Sequence, residues 1–192
     1  MSKPFDIFME TISKARQELP DTWNNMALAT VNDLQQPSVR YVLLKLYDES
    51  GLTFFSNYTS RKAQELATNS SAAVVFYWPT LGVQLRIEGT VCKTTEDISN
   101  NYFAQRDRNS KIGAWVSKQS SMISENSSLS AELEEGKAKF IQEENIPRPD
   151  YWGGYKLTPN VYEFWYQGYS RLHRRDRYTL AKDEWHQENL YP

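Results

Sequence analysis

The spacing of apolar residues changes period along the chain, and each change marks an element. Phe5, Phe8, Met9, Ile12 and Leu19 recur every three to four positions, which describes one apolar helix face, and Pro20 ends the run. This predicts an N-terminal packing helix within residues 1–20. From Met26 the pattern changes to short runs rich in strand-favouring residues. MALATV, then Ser38 to Tyr47 (SVRYVLLKLY), then LTFFS predict three strands in a meander, separated by polar or glycine turns. Within SVRYVLLKLY, Val39, Tyr41, Leu43, Lys45 and Tyr47 share one face, and Arg40, Val42, Leu44 and Leu46 the other, so each face carries one cation among apolar neighbours.

Thr59 or Ser60 can cap a short helix, SRKAQELATN, after which AAVVFYW and VQLRIEGTVCKT read as two more strands joined around Pro79 to Gly82. Glu96 to about Asp107 and Lys111 to Val116 read as helices, residues 117–130 as a serine-rich loop, and Leu129 to Glu144 as a charged helix stopped by Pro147 and Pro149. YWGGYKL, VYEFWY, DRYTLA and EWHQENLY supply further strands. Many strands with helices inserted between them predict a mainly β, α+β fold: one domain over residues 1–192, a closed or nearly closed barrel with helices outside.

Composition narrows the function classes. At 192 residues, 40% of them apolar and 14% aromatic, the chain has the material for a sizeable core, which excludes wholesale disorder. A net charge of -2 argues against a nucleic-acid binder. The lone Cys92 and an N-terminus (MSKPFDIFME) without a continuous apolar stretch suggest a cytoplasmic protein, and no apolar run approaches the roughly 20 residues that cross a bilayer. One cysteine and two distant histidines, His173 and His186, make poor material for a metal site.

Some polar residues sit where a structural role alone does not explain them. Arg61 and Lys62 lie in the first turn of the predicted helix, where the macrodipole and free amide hydrogens favour negative charge; either they point into water or they hold an anion such as phosphate. Tyr102, Arg106 and Ser110 are spaced by four and form one polar stripe if the helix continues through Asn109; the stripe suits a phosphate as well as it suits solvent. Gln84 and Gln119–Ser120 could read the edge of a heterocycle or be ordinary surface polarity. Glu163 to Arg177 (EFWYQGYSRLHRRDR) packs three tyrosine or tryptophan rings and four arginines around Gly168 and His173. It reads as a surface for a planar anion, a solvated basic hairpin or an RNA-contacting patch.

In order along the chain, RYVLLK (Arg40 to Lys45), SRKAQEL (Ser60 to Leu66), Gln84, YFAQRDRNSKIGAWVSKQSS (Tyr102 to Ser121), YWGGYKL, EFWYQGYSRLH and the final LYP resemble the pyridoxamine 5'-phosphate oxidase family, over about Met26 to Pro192. The resemblance implies a split β-barrel that binds flavin mononucleotide (FMN) at a homodimer interface, with both subunits building each site. By position, the flavin contacts fall on Arg40, Tyr41, Val42, Leu43, Leu44, Lys45, Phe55, Ser56, Arg61, Lys62, Gln84, Gln119, Ser120, Trp165 and Arg175. The contacts to the substrate phosphate fall on Lys45, Tyr102, Arg106 and Ser110, and the catalytic positions, set against the pyridine ring, on Arg171 and His173. The implied activity is oxidation of pyridoxamine or pyridoxine 5'-phosphate by O2 to pyridoxal 5'-phosphate, with release of hydrogen peroxide. Phe55 stands where a tyrosine is familiar, and Arg174 where the RLH motif is usually followed by an acidic residue. The segment that closes over the substrate in some relatives has no match in the N-terminal part. Two other readings follow: a flavin oxidase of another aromatic, similar to the dihydrophenazine oxidases, and a split barrel that holds flavin or pyridoxal phosphate without turnover.

Overall fold

The computed structural model describes residues 2–125 and 127–192. Met1, in the range of the expected N-terminal helix, and Asn126, in the serine-rich 117–130 loop, lie outside the described residues. Helix α1 (Lys3–Glu18) opens with Pro4 in its first turn, where the missing N–H costs nothing, and buries Phe5, Phe8, Ile12 and Ala15. Met9, assigned to the same face, is exposed instead. Among the described residues nine antiparallel strands follow: β1 (Asn25–Val31), β2 (Pro37–Leu43), β3 (Leu46–Asp48), β4 (Gly51–Asn57), β5 (Ser71–Trp78), β6 (Val83–Lys93), β7 (Trp152–Tyr166), β8 (Arg174–Ala181) and β9 (Glu184–Leu190). The helices α2 (Arg61–Thr68), α3 (Glu96–Ala104), α4 (Arg108–Val116) and α5 (Leu129–Lys139) fill the connections. The sheet runs β2-β1-β5-β6-β7-β4-β3, and β8 and β9 extend from the far half of β7.

The predicted strand SVRYVLLKLY is two strands. Its first part pairs with β1 and its last with β4, because Leu44 donates its N–H to the Asn24 carbonyl (2.9 Å) and Lys45 donates to Thr53 (2.9 Å), while the Leu44 side chain drops into the core at 1% exposure. The two ends of the sheet path, β2 and β3, are therefore joined by two residues, which curls the sheet into a half-barrel. The simple meander gives way to this crossing.

Conversely, YWGGYKL and VYEFWY are one strand. On one edge β7 pairs with β4 as far as Leu157 and with β8 from Val161 onward, so Pro159, which has no N–H to give, falls at the changeover. On the opposite edge the register with β6 shifts between Glu88 and Gly89. A Cβ on Gly89 would run into the Thr158 carbonyl oxygen, so the bulge needs glycine there. Phe54, Phe76, Trp78, Leu85, Ile87, Leu157 and Phe164 fill the interior with α1 against them.

Two helix boundaries also differ from expectation. The region expected as one helix to Asp107 breaks after Ala104, because Asp107 turns its carboxylate back to accept the Ser110 N–H (2.8 Å) and caps α4. Tyr102, Arg106 and Ser110 consequently do not form a stripe on one helix. Helix α5 ends at Lys139 rather than Glu144, where the buried Phe140 turns under Trp115 (ring centroids 5.6 Å).

Candidate functional site

At the foot of β4, Asn57 accepts hydrogen bonds from the N–H and hydroxyl of Thr59 (2.7 and 2.6 Å) and turns the chain into α2. Ser60 occupies the N-cap position without a side-chain cap, so the first-turn amides stay free of one. Its hydroxyl is engaged by Lys62, whose ammonium also donates to Ser56 (3.1 Å) and Gln119 (2.8 Å). Lys62 is buried, and among the described residues no carboxylate lies within ion-pair distance of it. Burial first, then the Arg40 charge, bring its amine down to about 8, against an opposing effect of Glu65.

Glu65, one turn further along α2, is the residue that sequence reasoning missed. Its buried carboxylate accepts from Thr30, from Ser38 (2.7 Å), from the Arg40 guanidinium (3.1 Å) and from the Arg61 Nε (2.9 Å). Burial alone would raise its pKa; the hydrogen bonds from Thr30, Ser38 and Arg61 and the Arg40 charge outweigh it and hold the group at about 2. Of the two cations that looked misplaced at the helix start, Arg61 stays on the rim, its side chain 61% exposed and tied to Glu65, and Lys62 turns inward. The i,i+4 spacing of Arg61 and Glu65 was the available signal.

These groups form one end of a cavity of about 900 Å³. It brings together Arg40, Tyr41, Val42, Leu43, Lys45, Phe55, Ser56, Arg61, Lys62, Tyr102, Arg106, Ser110, Gln119 and Ser120. The triad that lost its common helix is thus reunited by the α3–α4 corner. Leu44 is not part of the lining, since it belongs to the core. The other end is aromatic: Phe55, Tyr102 and Trp152 lie nearly parallel, with Phe55 3.9 Å from Tyr102 and 5.4 Å from Trp152. The Arg106 guanidinium lies 4.7 Å above the Trp152 ring, and its Nη1 is buried with no hydrogen-bond partner among the described residues. Burial pulls the Arg106 pKa down, against Tyr102 and Asp107, without bringing a guanidinium near neutrality. Trp152 gave no sequence signal for this role, because only the fold brings the start of β7 to the α3–α4 corner.

Gln84, Trp165, Arg171, His173 and Arg175 form a second group. Gln84, Trp165 and Arg175 are register neighbours across β6, β7 and β8, and the His173 ring lies 4.4 Å from Trp165. His173 Nδ1 accepts the Gly168 N–H (3.1 Å), so a neutral imidazole there carries its proton on Nε2. Gly168 admits no Cβ, which would meet the Leu172 carbonyl oxygen. Ser170 and Arg171 are held at φ of 52° and 64°, left-handed backbone that non-glycine residues adopt at a cost. Arg175 is bound to the buried Glu163 (2.7 Å) and to the Tyr191 carbonyl (2.9 Å). Arg174, the departure from the motif, stacks on Tyr166 at 4.0 Å and pairs with Asp176 (3.2 Å), so its charge is answered locally.

Trp152 and Trp165 stand at opposite ends of β7, thirteen residues or roughly 40 Å of extended chain apart. Within one chain the second group therefore does not complete the cavity. Edge strand β2 exposes Val39, Tyr41 (77%) and Leu43, an apolar row that also lines the cavity and suits a protein contact.

Comparison with known proteins gives these features relatives. Residues 12–140 match the family described as pyridoxamine 5'-phosphate oxidase, and residues 152–192 match the pyridoxine 5'-phosphate oxidase C-terminal dimerisation region. A pyridoxine/pyridoxamine 5'-phosphate oxidase of Burkholderia thailandensis is 49% identical over 175 residues, covering 91% of this chain and 79% of the relative. One from Burkholderia mallei is 48% identical over the same shares. Among solved structures, PhzG from Burkholderia lata 383, in complex with tetrahydrophenazine-1-carboxylic acid, matches with a TM-score of 0.93 at 28% identity, covering 100% of this chain and 94% of that one. A pyridoxamine 5'-phosphate oxidase-related, FMN binding protein from Nostoc punctiforme has a TM-score of 0.79 at 14% identity, covering 100% and 98%, a likeness of fold alone.

Proposed function

The chain belongs to the pyridoxamine 5'-phosphate oxidase family, and on that premise we propose that it oxidises pyridoxamine 5'-phosphate and pyridoxine 5'-phosphate to pyridoxal 5'-phosphate, with FMN as cofactor and O2 as oxidant. In this reaction the amine, O2 and water give the aldehyde, ammonia and hydrogen peroxide; the alcohol and O2 give the aldehyde and hydrogen peroxide. FMN, when bound, accepts the two electrons and passes them to O2.

The donor set fits that cofactor. A buried ammonium without a carboxylate partner, free first-turn amides and the Arg61 guanidinium on the rim answer a phosphate. Gln119 and Ser120 line the same cavity and supply an amide and a hydroxyl, groups of the kind that read a flavin ring edge.

The observation that carries the substrate assignment is Arg106 Nη1, buried and without a hydrogen-bond partner among the described residues, in a cavity shared with Lys45, Tyr102 and Ser110. A buried cationic donor left unmade is costly, and a second phosphate, on the substrate, satisfies it. Tyr102 and Ser110 add hydroxyl donors and Lys45 a charge. With both phosphates fixed, the chain's task is to set the substrate ring against the flavin and keep C4' in reach. Arg171 and His173, supplied by another copy of the chain, position and polarise the ring from the open side, with Trp165, Arg175 and Gln84 of that copy against the flavin. The dimerisation region at residues 152–192 contains four of these five residues and supports self-association.

A second reading is an oxidase of a larger unphosphorylated aromatic, favoured by the likeness to PhzG. Against it, a ring carboxylate such as that of PhzG's ligand brings one charge to Arg106, whereas Lys45, Tyr102 and Ser110, which share its cavity, make up the donor set of a phosphate dianion. Arg174 gives no support to a non-catalytic binder, since Asp176 and Tyr166 hold it. The test is to measure FMN released from the purified protein, then oxygen consumption with pyridoxamine 5'-phosphate, pyridoxine 5'-phosphate and their unphosphorylated forms. Turnover only of the phosphorylated pair is expected; equal turnover of both pairs, or a protein that cannot take up flavin, refutes the assignment.

A further inference from the structure

Glu65 is a carboxylate buried beside the cavity end proposed above to take the cofactor phosphate. A negative charge in that place repels the ligand, so its presence requires a compensating role. Its oxygens collect donors from three elements: Thr30 of β1, Ser38 and Arg40 of β2, and Arg61 of α2. Lys62 enters the same end of the cavity from α2, and the groups that meet its ammonium from β4 and residues 117–120 are neutral, Ser56 and Gln119. Arg40, Arg61 and Lys62 bring three positive charges and Glu65 one negative, leaving two, the opposite of a phosphate monoester dianion.

We propose that Glu65 is the positioning residue of the cofactor phosphate site: it fixes Arg40 and Arg61 against the cavity wall and offsets the repulsion among three neighbouring cations, so that Lys62 stays charged. The proposal rests on the FMN reading above. Both guanidiniums keep their protons in any protein environment, so uncompensated repulsion falls on Lys62, the cation whose proton can leave. Its amine is already brought down to about 8 by burial and by Arg40, with Glu65 acting in the other direction. A neutral glutamine at position 65 keeps hydrogen-bonding capacity but leaves only the lowering effects.

The experiment titrates FMN, and riboflavin as a control without phosphate, into the flavin-free chain between about pH 6.5 and 9, following flavin fluorescence. For the wild type, FMN affinity is level up to about pH 8 and then falls about tenfold per unit, because the bound dianion requires the protonated amine. In Glu65→Gln the fall begins about one unit lower. Glu65→Asp, which retains the charge, restores the wild-type onset, and riboflavin affinity shows no such fall in either variant. An unmoved onset in Glu65→Gln, or a change that riboflavin shares, overturns the proposal. If Glu65→Gln does not fold, Arg40→Gln tests the same coupling with the opposite sign: the onset moves upward, and a fixed onset is the contrary result. A wild type that binds riboflavin as tightly as FMN refutes the cofactor reading instead.

Discussion

Around Lys62 the chain has arranged nearly every polar group before a ligand arrives, whereas around Arg171 the side chains stand in solvent and the backbone carries the strain. In the first region Glu65 gathers four donors, and Lys62 is held by three neutral oxygens. In the second, Tyr169 is 94% exposed, Arg171 and Leu172 are exposed, and Ser170 and Arg171 sit in left-handed backbone. The concave region is preorganised for its ligand, since the cost of ordering its cations has been met during folding. The projecting region carries side chains that the proposed function takes from another copy. One site assembled from the cavity of one copy and the turn of another reconciles the two.

The largest effect is expected in the preorganised region. Lys62→Met keeps the length and removes the charge, and FMN affinity should fall by about a hundredfold, measured by fluorescence titration; a change under about threefold would show that the buried ammonium holds no phosphate. Arg106→Ala should raise the KM for pyridoxamine 5'-phosphate by about tenfold or more with FMN still bound. Parallel loss of FMN would place that arginine on the wrong phosphate. Smallest is Arg174→Ala, which should leave KM within about twofold while lowering Tm by a few degrees through the lost Tyr166 and Asp176 contacts. A large KM change would bring Arg174 back into the substrate site. Acid should also loosen the cavity. Glu65 has its pKa depressed in the folded chain, so its stabilisation is complete above about 4.5 and is lost as pH falls towards 2, visible as a falling Tm.

Much of this was legible along the chain where the causes are local. Strand-favouring runs between turn signals gave β1, β4, β5, β6, β8 and β9, and two cations in the first turn of α2 stood out because the helix start already carries positive charge. The break at Leu44–Lys45 was not legible, because it depends on Asn24 and Thr53 being the neighbours that accept those N–H groups. YWGGYKL and VYEFWY read as two strands, yet the fold runs them as one and sets Pro159 where β4 stops and β8 begins. The Tyr102, Arg106 and Ser110 stripe failed as a helix face and survived as a cavity wall, since Asp107 preferred capping α4 to continuing α3. Glu65 stayed hidden because its partners Thr30 and Ser38 come from strands that no sequence spacing connects to α2. The grouping of Gln84, Trp165, Arg171, His173 and Arg175 with the cavity came from family resemblance, and a single chain leaves them at the other end of β7.

Whether the two regions meet across copies can be measured by subunit mixing. Lys62→Met removes the cavity function and Arg171→Ala the turn function, so each variant alone should lose most oxidase turnover. Co-expressed, half of randomly paired dimers are hybrids, and each hybrid contains one site with neither lesion, giving about a quarter of wild-type turnover. Turnover no higher than the sum of the two variants would mean that cavity and turn serve the same chain, and the shared site would be wrong.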